Sequence, residues 1–124
     1  MSSVNKILRG VAHDIAHHSQ SGLSWIHPHL FLACRDVGAL STEFELLEDS
    51  PYPSGLPERK PLQLALQGLR EKFLNILELK RVPCAAVKSV RLKFEFPLSN
   101  DGTLSLVIVV ITSSDGTQFK GIGP

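Results

Sequence analysis

The stretch "VKSVRLKFEFPL" (Val87–Leu98), followed after a short polar break by "TLSLVIVVIT" (Thr103–Thr112), decides how this chain folds. In the first segment Val90, Leu92, Phe94 and Phe96 alternate with Arg91, Lys93 and Glu95, the period of two that a half-buried β-strand requires. The break "SNDG" (99–102) supplies turn residues, so the second segment returns as an antiparallel partner. A second turn, "SSDG" (113–116), leads to a short last strand, "TQFKGI" (117–122).

Working outward, the long segment before this β region reads as a helix. Leu62, Ala65, Leu66, Leu69, Phe73, Ile76 and Leu77 form one stripe at helical spacing, Pro61 can open it, and Lys80 and Arg81 suit its negative end before Pro83. "SPYPSGLPERKP" (50–61), with four prolines and one glycine, is a loop. Before it, "STEFELLED" (41–49) alternates, Phe44 and Leu46 against Glu43 and Glu45, and predicts a strand. Pairing of that strand with Val87–Leu98 sets Glu43 and Glu45 across from Arg91 and Lys93, worth roughly 0.2–1 kcal/mol per opposite-charge pair.

Two helices are expected at the start. Val4, Ile7, Leu8, Val11 and Ile15 form a stripe over Val4 to about Gln20, with Ser3 as N-cap and Gly22 as the stop. A shorter helix is expected from Pro28 to Asp36, because proline is tolerated in a first turn. The order α-α-β-α-β-β-β predicts a single α+β domain over residues 1–124, with helices packed on one face of a mostly antiparallel sheet of about four strands.

Bulk properties narrow the function. Thirteen Lys+Arg against twelve Asp+Glu leave a formal charge of +1, so no overall field favours an anionic partner. Lys80 to Lys93 holds five basic residues and no acid, but Phe94 and Phe96 alternate inward instead of offering stacking faces. Nucleic acid is therefore not expected as a partner. The longest apolar run, Leu106–Ile111, is far short of the roughly 20 residues of a membrane span. "MSSVNKILRG" shows no apolar leader core, and Cys34 and Cys84 stand fifty positions apart with no CxxC pairing. A cytoplasmic protein with two buried free thiols is the expectation.

The return strand carries the best hint of an interaction. Leu104, Leu106, Ile108 and Val110 fill one face, and Val107, Val109 and Ile111 fill the other. A strand apolar on both sides needs cover on both. For the Val107, Val109 and Ile111 face, the cover is either Leu30–Cys34 or a second copy of the chain. Self-association as a dimer through these three residues is the leading expectation.

All five histidines fall within "HDIAHHSQSGLSWIHPH" (His13–His29). His13 and His17 lie one helical turn apart, opposite the apolar stripe, a spacing that lets two imidazoles share a metal ion. His27 or His29 would supply a third ligand if the HPH segment were extended. A metal-free version pairs His13 or His17 with Asp14 as an acid/base couple. Against both stands a simpler reading, in which histidines near a helix end interact with its dipole. The His13-Asp14 dipeptide also occurs in metal-dependent HD phosphohydrolases, but those spread further ligands over a longer all-helical domain that this chain lacks. No GxSxG, P-loop, GxGxxG or CxxC pair is present.

Three functional expectations follow. The first is a non-catalytic cytoplasmic protein, without cofactor, acting through self-association or partner binding. The second is a small enzyme or metal-binding protein using the histidine cluster and Asp14. The third is an apolar-ligand carrier with a pocket between helices and sheet, near Trp25, Phe44, Phe73 and Phe94.

Overall fold

The computed structural model of the chain describes residues 3–17, 23–96 and 106–123. The 99–102 turn, Leu98, Leu104, His18 and Gly22 lie outside these residues.

The described elements are α1 (Ser3–His17), α2 (Leu23–Asp36), β1 (Ser41–Glu45), α3 (Lys60–Leu79), β2 (Val87–Glu95), β3 (Leu106–Ser113) and β4 (Gln118–Gly123). Four strands form one antiparallel sheet in the order β1-β2-β3-β4. The element order, the α+β class and the helices-on-one-face arrangement are those the residue pattern implies. Register places Glu43 opposite Lys93 and Glu45 opposite Arg91, the cross-strand charge pairing expected from the alternation.

One face of the sheet is the core face. Phe44, Leu92, Val109 and Gly121 lie in one row across the four strands, flanked by Phe94, Val107 and Gly123 on one side and Val90, Ile111 and Phe119 on the other. All of these are buried. They pack under α1 and against the apolar stripes of α2 and α3 in one continuous cluster.

α1 lies across β3 and β4, burying Leu8, Val11, Ala12, Ile15 and Ala16 at intervals of three and four residues. The helix begins at Ser3 itself rather than after it. Its approach to β4 is close because the facing residues are small: a Cβ on Gly121 would overlap the Ala12 carbonyl, and one on Gly123 the Ala16 carbonyl.

α2 begins at Leu23, five residues before the expected start, and carries Pro28 inside it. Leu23, Ile26, Leu30, Ala33 and Cys34 are all buried on one stripe. Burial of two further apolar side chains, at roughly 1.5–3 kcal/mol each, offsets the roughly 3 kcal/mol that an interior proline costs a helix.

α3 carries Pro61 in its first turn and buries Leu62, Leu66, Leu69, Phe73 and Leu77. It ends in a Schellman turn, with the Val82 N–H donating to the Leu77 carbonyl at 2.8 Å and the Arg81 N–H to the Glu78 carbonyl at 3.0 Å. Arg81 therefore adopts the left-handed region, at φ 58°, where glycine is usual. The proline-rich loop before α3 is held by Tyr52, whose hydroxyl donates to the Pro57 carbonyl and accepts the Arg59 N–H at 3.0 Å. Arg59 in turn forms an ion pair with Asp36 at the end of α2.

Candidate functional site

The histidines expected to converge occupy two helices. On α1, His13 and His17 stack with ring centroids 4.2 Å apart and planes 22° from parallel. Both are exposed. The His17 Nδ1 donates to the His13 carbonyl at 2.9 Å, and the His13 Nδ1 stands 3.7 Å from the Asp14 carboxylate.

His27 and His29 instead sit two residues apart within α2, where such residues do not share a face. The extended HPH geometry is thus corrected to a helical one, and with it goes the pairing of these two rings. His27 is half-buried against Phe96, ring centroids 5.6 Å apart, and burial pushes its pKa below the ordinary histidine value. Its Nε2 has no hydrogen-bond partner among the described residues. No three His, Cys, Asp or Glu side chains converge on one point among the described residues. His27 and His29 therefore do not complete a ligand set with His13 and His17; on α1 the stacked pair stands with the Asp14 carboxylate near His13.

The expected pocket is also revised. Phe44, Phe73 and Phe94 are core residues, with Phe44 stacked on Phe94 at 6.1 Å. Trp25 stands apart from them, 75% exposed on α2. Two surface depressions lie elsewhere, one lined by Ser50, Pro51, Tyr52, Gln63, Leu66 and Gln67, the other by Asn75, Glu78, Leu79 and Arg81. Neither includes any of the four aromatic residues.

The largest correction concerns β3. Val107, Val109 and Ile111, expected at an interface, are buried within the chain under α1. The cover comes from within the chain: α1, whose alanines seat on β4, lies over β3, and Leu30, Ala33 and Cys34 of α2 belong to the same buried cluster. The alternation itself holds, with the faces assigned the other way: Leu106, Ile108 and Val110 point outward. Ile108 faces Lys93 on β2 and Ile122 on β4; Val110 faces Arg91 and Lys120. Leu106 is 39% and Ile122 48% exposed.

The outer face of the sheet therefore has two halves. Over β3 and β4 it carries an apolar stripe of Leu106, Ile108, Val110 and Ile122, with the exposed Lys120 beside Val110. Over β1 and β2 its charges are matched, with Arg91 donating to Glu43 at 2.8 Å and Lys93 lying 3.1 Å from Glu95. The Glu45 carboxylate turns back to accept the Val90 and Leu47 N–H groups at 2.8 and 3.2 Å.

The two thiols differ. Cys34 is buried, and burial pushes its pKa up to about 11. Cys84 is exposed in the short 3-10 turn Cys84–Ala86 that precedes β2, contrary to the expectation that both are buried. The turn lifts it clear of the core, which Val82 and Val87 enter on either side.

No family model, curated protein or solved structure matches the chain, so its own residues carry the functional reading. Among the described residues, no helix is long and apolar enough to cross a membrane.

Proposed function

We propose that the protein is a non-catalytic module that works by self-association, with the outer face of its sheet as the contact surface. The observation that supports this is the apolar stripe Leu106–Ile108–Val110–Ile122 on a sheet whose helices, among the described residues, lie on the other side. Contiguous apolar surface of this kind is what an interface core offers. The matched charges beside it lower the electrostatic cost of covering the face, and their neutrality gives little purchase to a strongly charged partner.

Size sets the strength. Four strands at about 4.8 Å spacing and roughly 17–20 Å of strand length give a face of roughly 300–400 Å² in projection. Standard interfaces bury about 800 Å² per partner, so the association is reversible and concentration-dependent rather than permanent. An exposed, unpaired Cys84 fits a reducing compartment, and the proposal places the protein in the cytoplasm.

Sedimentation velocity over a wide concentration range tests the reading. The natural chain is expected to shift toward a dimer as concentration rises. Ile108→Lys/Val110→Lys is expected to sediment as a monomer throughout with an unchanged circular dichroism spectrum, and Val37→Lys, outside the sheet, is expected to behave as the natural chain. A monomer at every concentration, or a dimer that survives the double substitution, overturns it.

A further inference from the structure

The outward face of α1 carries a second feature that the sheet surface does not use. His13 and His17 lie one turn apart, stacked and exposed. A carbonyl oxygen only accepts, so the 2.9 Å contact from His17 Nδ1 to the His13 carbonyl requires the proton on Nδ1. The lone pair of His17 is thereby fixed at Nε2. This is the arrangement metal-binding histidines use, one ring nitrogen tied to a backbone carbonyl and the other presented to the ion. The Asp14 carboxylate near His13 Nδ1 adds negative charge beside the pair.

Among the described residues, the flanking positions leave the site open. Gly10, one turn before His13 on the same face, has open space where a side chain would be. The nearby cation Arg9 is turned toward β4, its guanidinium carbon 5.7 Å from the Phe119 ring centroid.

We propose that His13 and His17 form a two-histidine site for a divalent transition-metal ion of the imidazole-seeking class, copper(II) or zinc, bound through the two Nε2 atoms with water in the remaining positions. Oxygen-seeking magnesium has no place there. The site binds to the folded helix, because only the helix holds the two rings together. The ion therefore clamps the last described turn of α1, and the residues preceding its ligands, Ala12 and Ala16, are the ones seated on Gly121 and Gly123. Metal binding and the seating of α1 on the sheet are coupled.

The test uses untagged full-length chain, titrated by calorimetry with copper(II) chloride, zinc chloride and, as a control, magnesium chloride. One equivalent of copper is expected to bind more tightly than zinc, following the usual order of affinities, with no binding of magnesium. His13→Ala and His17→Ala are each expected to weaken binding by at least about tenfold, since each leaves a single imidazole. His29→Ala is expected to change nothing. Copper electron paramagnetic resonance is expected to show two coupled nitrogens in the natural chain and one in each variant. Zinc is expected to raise the thermal midpoint of the natural chain and not that of the double variant. The absence of copper binding, binding undiminished in the double variant, or loss on His29→Ala overturns the proposal. Circular dichroism of each variant checks that α1 is intact, which both exposed positions allow.

Discussion

Gly121 of β4 lies against the backbone carbonyl of Ala12 in α1, with no room between them for a side-chain carbon. The same holds one turn on, for Gly123 and Ala16. The two glycines and two alanines let a helix approach a strand at backbone distance, and that approach gives Val107, Val109 and Ile111 their cover.

Adding a methyl group at this seam has a direct consequence. Gly121→Ala forces α1 away from the sheet, because the obstructing atom is backbone and cannot rotate aside. The expected loss is about 1–3 kcal/mol, as for other overpacked contacts, and Gly123→Ala should behave alike. Urea denaturation reads the change as a lowered midpoint.

The opposite sign is expected at the end of α3. Arg81 holds a left-handed conformation that costs an L-residue roughly 1–2 kcal/mol. Glycine removes that cost while adding some freedom to the unfolded chain, so Arg81→Gly should stabilise by roughly 0.5–1 kcal/mol. A raised urea midpoint with an unchanged slope is the expected reading.

The pH dependence has an identifiable contributor in His27. Burial disfavours its charged form, so its folded pKa lies below the ordinary 6.5. Between the two values the unfolded chain binds the proton and the folded chain does not. The stability His27 contributes is therefore fully present above the ordinary value and is lost as pH falls through the folded one. His27→Phe, which keeps a ring against Phe96, should flatten that slope. Urea midpoints taken at about pH 7.5 and about pH 5.5, in the natural chain and the variant, measure it.

Thiol chemistry checks the placement of the cysteines. Cys84 is exposed and should react at once with a thiol reagent in the native protein. Cys34, buried and with its pKa pushed up to about 11, should react only on unfolding. Cys84→Ser should then leave no thiol reactive in the native state.

The fold was legible where burial leaves one face wet. β2 alternates apolar and charged residues, so its inward side and its pairing with β1 could be read directly, while the Glu43–Lys93 and Glu45–Arg91 register came from the structure. β3 is apolar on both sides and gave no such direction. The signal that assigns its faces sits in other elements: Gly121 and Gly123 on β4, and Ala12 and Ala16 on α1, mark where a helix comes close. By its local rule Pro28 marks a helix start, whereas tertiary burial of Leu23 and Ile26 extends α2 past it. That extension separates His27 from His29. At the candidate metal site the spacing of His13 and His17 could be read from the sequence, but the carbonyl contact that fixes the His17 lone pair required coordinates.

The most direct measurement of the central claim is solvent paramagnetic relaxation on methyl-labelled protein, followed as concentration rises. The account predicts that the Leu106, Ile108, Val110 and Ile122 methyls lose relaxation on concentration, as a second copy covers them. Val107, Val109 and Ile111, already under α1, should show little relaxation at any concentration. Outer-face methyls that stay equally exposed across the whole range would contradict self-association through the sheet.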